Sequence, residues 1–180
     1  MLYQSMSGDA LAGHATYTMV GGSLSAAGGP AFYVTNTTGT ITLRGGARVS
    51  AGSGTLVLAD SNGTGSGNAG AGVVTFTANG ETLTGNLVAK GTSSITAKLM
   101  AGTTLTGGMT KSALALDATS SWHVTADSSI TALTGVRISS GEVTNITGNG
   151  HTVTYDSSAS GALGGKTYTL AGGGTLKPAG

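Results

Sequence analysis

Short apolar runs in this chain alternate with threonine and serine at a period of two residues. Clear examples lie at residues 40–43, 74–77, 152–155 and 167–170. Alternation of this kind, in β-branched runs bounded by glycine and asparagine, is typical of strands with one buried face. About a dozen such runs follow one another along the chain. The pattern therefore predicts an all-β protein.

One strand motif recurs along the chain. The segment from Gly80 to Gly85 returns from Gly102 to Gly107, 22 residues later, and a weaker copy at residues 130–135 follows after 28 more. Recurrence on this scale is typical of solenoids, whose units bury their apolar faces against their neighbours. We therefore predict a parallel β-helix of about eight coils, formed by residues 1–180 as a single domain. Leu83, Leu105 and Leu133 are expected at equivalent inward positions on successive coils.

Composition agrees with this architecture and excludes several others. The 180 residues include 33 glycines, 30 threonines and 20 serines, and only 8% are charged, against roughly 25% in a typical domain. Glycine suits the corners of a β-helix, and a low charge avoids repulsion between stacked side chains. Helical bundles and Rossmann-type folds are excluded. The lack of a basic cluster argues against a nucleic-acid partner, and the lack of cysteine excludes disulfides.

A resemblance to a known group of proteins rests on four stretches. Together they resemble the C-terminal part of large bacterial secreted or surface proteins with adhesin-like, right-handed parallel β-helix repeats. The stretches are residues 1–9, 32–37, 76–85 and 120–128. The resemblance implies a right-handed β-helix and an extracellular or cell-surface location, with the export signal outside this segment. It also implies that upstream coils of a longer chain are natural partners. It brings no catalytic residue.

A glycine-rich stretch interrupts the strand pattern at residues 60–72, which we interpret as a flexible loop. Within it, Gly65–Gly70 fits the spacing G-x-G-x-x-G of dinucleotide-binding proteins. That motif requires a helix after the glycines, whereas the apolar alternation at residues 73–77 predicts a strand. Asp60 to Gly63 bears a faint likeness to a calcium loop but lacks the further acids. No cofactor is expected.

Titratable side chains are scattered along the chain. No two of its seven acids lie within five residues of each other, whereas glycoside hydrolysis uses paired carboxylates. Asp117 and Asp127 are interpreted as solvated turn residues. His14, His123 and His151 lack metal-binding spacing. We expect neither an enzyme nor a metal site. A degenerate polysaccharide-processing β-helix, its site assembled from distant coils, is the third alternative for function.

Threonine pairs of the form T-x-T supply the candidate binding surface. The two threonines of such a pair share one face of a strand, so stacked pairs could present a regular hydroxyl array to a glycan or to ice. A regular grid needs constant coil length, and the unequal offsets favour ordinary outward threonines. Trp122 is either a core residue or a platform for a sugar ring. The candidate ligand-face residues are Thr82, Thr84, Thr104, Thr106 and Trp122.

The sequence therefore predicts a non-catalytic structural or adhesive module of a bacterial secreted or cell-surface protein. The alternative is a flat face that binds a repetitive ligand. No apolar run is long enough to insert into a membrane. The N-terminal strand has no sign of a cap, so its edge is expected to be open and to allow weak end-to-end association.

Overall fold

The computed structural model describes residues 2–3, 13–61 and 70–180. Within these residues the regular structure consists of β-strands and one short 3-10 helix at Gly161–Leu163, with no α-helix. The strands form three stacks, and the chain passes through the first, second and third stack in turn over most of its length. The prediction of an all-β protein is confirmed, and its largest sheet consists mainly of parallel strands.

The strands of each stack recur at intervals along the chain. The first stack comprises β2 (His14–Val20), β5 (Thr38–Arg44), β8 (Val73–Asn79), β11 (Ser94–Met100), β14 (Ser112–Leu116), β16 (Ser128–Thr134), β19 (Thr152–Tyr155) and β21 (Thr175–Pro178). The second comprises β3 (Ser23–Ala26), β6 (Arg48–Ala51), β9 (Thr82–Thr84), β12 (Thr104–Thr106), β15 (Ser121–His123), β18 (Glu142–Thr147) and β20 (Tyr168–Ala171). The third comprises β1 (Leu2–Tyr3), β4 (Phe32–Thr35), β7 (Thr55–Asp60), β10 (Asn86–Ala89) and β13 (Met109–Thr110). A further short strand, β17 (Ile138–Ser139), pairs antiparallel with β18.

Strands of the first stack stay aligned although the chain between them varies in length. His14 faces Thr38, Thr38 faces Val73, and Val73 faces Ser94, all in parallel pairs. The separation between facing residues ranges from 17, for Ile95 and Ser112, to 35, for Thr38 and Val73. The connections between strands therefore take up the variation in length.

Alternation along each strand divides core from surface. In β8, the side chains of Val74, Phe76 and Ala78 are buried, whereas Thr75 and Thr77 are half-buried on the outer face. Apolar side chains of all three stacks meet in a single core cluster. Burial of this continuous apolar surface is the main favourable contribution to folding.

One predicted alignment of leucines is right and another is wrong. Leu83 faces Leu105, as the 22-residue repeat predicted. The next partner of Leu105 is Trp122, however, and Leu133 faces Leu114 in the first stack. The weaker motif copy lies in β16, because the connections there place the same residue pattern in a different stack.

Glycines form two successive joints between the second stack and the third, at Gly85 and at Gly107. Gly85 alone separates β9 from β10 and has a φ of 135°. A Cβ atom there would lie 3.0 Å from the Leu56 Cβ atom, and one at Gly107 would lie 2.2 Å from the Gly85 carbonyl oxygen. Both positions require glycine for close approach of the backbone. The chain therefore bends sharply at this joint.

The C-terminal end of the sheet is closed by an antiparallel pair. β20 pairs parallel with β18 and antiparallel with β21, and β21 pairs parallel with β19. This arrangement joins the first stack and most of the second into one sheet of 14 strands. Leu170 and Leu176, on the two strands, are buried. Lys177 and Pro178, two residue types that protect sheet edges, lie on β21.

Two sequence-based interpretations fall largely outside the described residues. Residues 62–69 lie outside the described residues. They make up most of the stretch 60–72, which was interpreted as a flexible loop, and most of the G-x-G-x-x-G segment. At its described ends, the Gly72 amide donates to the Asp60 carbonyl oxygen at 3.1 Å and to Ser93 Oγ at 3.0 Å. Of the first stretch that carried the family resemblance, only residues 2–3 are described.

Candidate functional site

Four of the predicted ligand-face residues lie side by side on the outer face of the second stack. Thr82 faces Thr104 and Thr84 faces Thr106 across the parallel pair β9–β12. Leu83, which lies between Thr82 and Thr84 in sequence, is buried, so the two threonines of β9 point outward and are exposed. Those of β12 are half-buried. The predicted pairs therefore form a two-by-two hydroxyl patch.

The patch continues into the next strand of the stack. Ser121 faces Thr104, and His123 faces Thr106. The Thr104 and Ser121 hydroxyl oxygens lie 3.2 Å apart, within hydrogen-bond distance. His123 is half-buried on the same outer side. The outward columns thus change from threonine to serine and histidine along the stack.

Trp122 does not belong to this surface. Its side chain is fully buried, and its Nε1–H donates a 2.8 Å hydrogen bond to the Gly107 carbonyl oxygen. It faces Leu105, which also points inward. The prediction of Trp122 as a ligand-face residue is corrected by this position, since a ligand outside cannot reach the indole ring. Trp122 is therefore a core residue, which was the alternative interpretation of this tryptophan.

A larger threonine array lies on the outer face of the first stack. Four threonines face one another in one column, and three more form the adjacent column. The first column is Thr16, Thr40, Thr75 and Thr96; the second is Thr18, Thr42 and Thr77, with Lys98 next in line. These side chains are exposed or half-buried.

This array was not among the candidate residues, although its T-x-T pairs were visible in the sequence. Unequal spacing along the chain argued against a regular grid. Alignment depends instead on the pairing of strands, which is unbroken from β2 through β11 despite separations that differ by more than ten residues. Spacing along this sequence therefore does not predict regularity on the surface of the paired strands.

A cleft of about 360 Å³ lies where the second and third stacks meet. It borders the break in the second stack, where no strand pairing joins β6 to β9. Its polar lining consists of hydroxyl and amide side chains and includes no charged residue. These side chains are Ser50, Thr84, Asn86, Thr106 and Thr125. Hydroxyl and amide groups suit a neutral, hydroxyl-rich ligand.

Asp117 and Asp156 stabilise turns, as solvated turn residues do. Asp117 accepts hydrogen bonds from the backbone amides of Thr119, Ala101 and Ser120. These bonds, that from Thr119 first, hold the pKa of the Asp117 carboxyl well below its usual range. Asp156 accepts from the hydroxyl and backbone amide of Ser158, in that order of effect, and its pKa is also lowered. Both groups therefore remain ionised and bonded locally.

Asp127 and His151 form an isolated pair of titratable side chains in the described part of the chain. Asp127 lies 3.6 Å from His151 Nδ1 and accepts a hydrogen bond from the Thr152 amide at 2.9 Å. Asp127 is exposed and the histidine only partly covered. Within the described part of the chain, no three His, Asp or Glu side chains converge to form a metal site.

Glu81 is a buried acid that the sequence did not single out. It occupies a turn between the first and second stacks, and its Oε1 accepts the Gly46 amide at 3.0 Å. The Glu81 amide donates to Thr103 Oγ1, and the Thr103 amide donates to Ser120 Oγ. These side chains link successive turns by satisfying buried backbone donors. The role of Glu81 is therefore structural.

The described residues include no helix that is long and apolar enough to cross a membrane. Comparison with known proteins found no matching family model, no matching curated protein and no matching solved structure.

Proposed function

We propose that the chain is a right-handed parallel β-helix of about eight coils that serves as a non-catalytic adhesive module of a bacterial secreted or cell-surface protein. The coil count follows the eight strands of the first stack. Right-handedness follows from the strong preference for right-handed connections between parallel strands of one sheet. Eight strands at about 4.8 Å spacing extend over roughly 35–40 Å.

The observation that carries this proposal is the register of outward hydroxyls beside an uncharged cleft. Thr84 and Thr106 belong both to the patch on the second stack and to the cleft lining. A polymer lying along the stack would meet similar hydroxyl groups on successive strands. Weak contacts of this kind add up along a repetitive ligand, because later contacts form at high effective concentration. The partner proposed for this face is a neutral glycan.

A second candidate function is favoured by the array on the first stack. Its threonines are aligned in two columns, one over three consecutive strand pairs and the other over two. Flat, regularly spaced hydroxyl and methyl groups are the surface that β-solenoid ice-binding proteins present. The two functions use different faces of the same molecule, so they can be tested separately.

The test uses a matched pair of substitutions, Thr84→Lys on the second stack and Thr42→Lys on the first. Both place a lysine at an outward strand position, so their effects on folding should be similar. Adhesion through the second stack predicts that Thr84→Lys loses retention on an array of neutral polysaccharides while Thr42→Lys keeps it. Ice binding predicts that Thr42→Lys alone loses inhibition of ice recrystallisation. Failure of the wild-type protein in both assays would contradict both functions.

A further inference from the structure

The cleft between the second and third stacks has an apolar floor. It lies where β6 and β9 are close together but are not joined by strand pairing in the described part of the chain. Along β6, Val49 and Ala51 take the inward positions of the alternation and are half-buried, whereas Arg48 and Ser50 are exposed. Both inward side chains line the cleft. The split between the two strands therefore leaves part of their apolar surface open to a ligand.

Hydroxyl groups form the rim of the same cleft. Thr84 and Thr106 face each other across β9 and β12 and point outward, Thr84 being exposed and Thr106 half-buried. Ser50 lies on the outer side of β6, and its hydroxyl donates to Ser25 Oγ at 3.0 Å. Each of these hydroxyls can donate and accept hydrogen bonds. A ligand in the cleft therefore meets apolar groups on one side and hydrogen-bonding groups at its edge.

Asn86 supplies a hydrogen-bond donor of fixed orientation to the lining of the cleft. Its Oδ1 accepts the Gly108 amide at 2.7 Å, and its own backbone amide donates to the Gly54 carbonyl oxygen at 2.9 Å. A backbone N–H can pair only with the side-chain oxygen, so this bond determines which way the amide group points. The Nδ2 group lies on the other side of the amide. Its hydrogens are available to an acceptor in the cleft, since no described residue accepts them.

A β-bulge lies directly beside Asn86. The register of β7 and β10 shifts between Asn86 and Leu87, so β7 carries one extra residue, Leu56, at this point. Leu56 is fully buried, and a Cβ atom at Gly85 would lie 3.0 Å from its backbone nitrogen. Bulges are frequent next to functional sites, where they redirect a side chain. The closely packed backbone here holds Asn86 in place at the edge of the cleft.

We propose that the cleft binds an N-acetylated sugar unit, an inference that rests on the proposed function and specifies its glycan as one that carries acetamido groups. The acetamido methyl group packs on Val49 and Ala51, and the acetamido carbonyl oxygen accepts a hydrogen bond from Asn86 Nδ2. The ring hydroxyls pair with Thr84 and Thr106 at the rim. A volume of about 360 Å³ is at the small end of ligand sites and suits a short segment of a glycan.

An acetamido group matches both parts of the cleft, whereas other sugar substituents match only one. A hydroxyl placed against Val49 would give up hydrogen bonds to water and gain no partner on the apolar floor. A carboxylate would bring a charge into a site whose described lining has no charged residue to neutralise it. The acetamido group is uncharged and combines an apolar methyl with an acceptor for Asn86.

The first experiment is calorimetric titration of the chain with chitopentaose and with cellopentaose. The two oligosaccharides share length and linkage, and chitopentaose carries an acetamido group where cellopentaose has a hydroxyl. Chitopentaose should bind at least about tenfold more tightly. Equal affinities, or tighter binding of cellopentaose, would overturn this inference and leave the adhesive function standing. Binding of neither would also overturn it, and the proposed function would fall with it only if the chain retains no neutral polysaccharide on the array.

The second experiment replaces the donor in the cleft. Asn86→Asp keeps an oxygen that accepts the Gly108 amide but exchanges the Nδ2 donor for an acceptor. Its affinity for chitopentaose should fall about tenfold, close to that for cellopentaose, with the melting temperature little changed. Asn79→Asp, the same change at an exposed residue of β8 outside the cleft lining, is the matched control and should leave both affinities unchanged. An Asn86→Asp chain that keeps the preference for chitopentaose would overturn the inference.

Discussion

At the scale of single residues, position within the two-residue alternation decides whether a side chain supports the core or the surface. Thr104 and Leu105 are neighbours in β12, but Leu105 is fully buried and Thr104 is half-buried on the outer side. Leu105 packs in a column with Leu83 and Trp122. Truncation of such a side chain leaves a cavity, because close-packed neighbours relax only partly. The same truncation at Thr104 leaves no cavity in the core.

Replacement of Leu105 with Ala should therefore lower the free energy of unfolding by roughly 2–5 kcal/mol. Thr104→Ala is the matched control and should lower it by about 1 kcal/mol or less, because it removes one hydrogen bond to Ser121 and no core side chain. Equilibrium unfolding in urea measures both values. A loss for Leu105→Ala as small as that for Thr104→Ala would show that this column does not stabilise the fold.

At the scale of elements, the antiparallel pair β20–β21 has a role that no other pair of strands in the described sheet shares. It covers the ends of two stacks at once, since β20 lies on β18 and β21 lies on β19. Nearby, the Tyr168 hydroxyl donates to the Leu163 carbonyl oxygen at 3.0 Å, and the Tyr155 hydroxyl donates to the Lys166 carbonyl oxygen at 2.7 Å. These bonds attach the segment before β20 to β20 itself and to β19.

Removal of residues 167–180 should expose β18 and β19 as new free edges and uncover the core beneath Leu170 and Leu176. We expect the shortened chain to be less stable and to form larger species than the full chain does, because β18 and β19 become unprotected pairing edges. Size-exclusion chromatography with light scattering measures this. Removal of residues 179–180 alone is the control. A truncated chain with the size distribution of the full chain would show that the pair does not act as a cap.

At the scale of the whole molecule, the two ends of the first stack differ in the number of partners that their last strands have. Each strand is stabilised mainly by its neighbours in the stack, as in other repeat architectures. Interior strands such as β8 have partners on both sides, whereas β2 has one described partner. β21, at the other end, has two. Stability against local opening should therefore fall further toward the N-terminal end than toward the C-terminal end.

Hydrogen exchange at a concentration where the chain is monomeric should reveal this asymmetry. Amides of β8 and β11 should exchange slowest, those of β21 at an intermediate rate, and those of β2 fastest, because local opening requires fewer broken pairs at a free edge. Equal exchange in β2 and β21 in the monomer would contradict the difference between the ends.

Several features of this protein follow from its sequence alone. Alternation of apolar residues with threonine determined that the chain is all-β and which side of each strand faces the core, because side chains of a strand alternate in direction. The 22-residue repeat predicted that Leu83 faces Leu105, because two copies of one motif occupy equivalent strands of a repeat architecture. The interpretation of Asp117 and Asp127 as turn residues likewise agrees with their positions between strands.

Other features were decided only by the tertiary structure. The burial of Trp122, the place of Leu133 in the first stack and the aligned threonines from Thr16 to Thr96 all depend on which strands pair. So does the closure of the C-terminal end by β20 and β21. Pairing joins residues 17–35 positions apart in the first stack. Connections of unequal length determine which strands pair. The local pattern of residues does not predict the length of each connection.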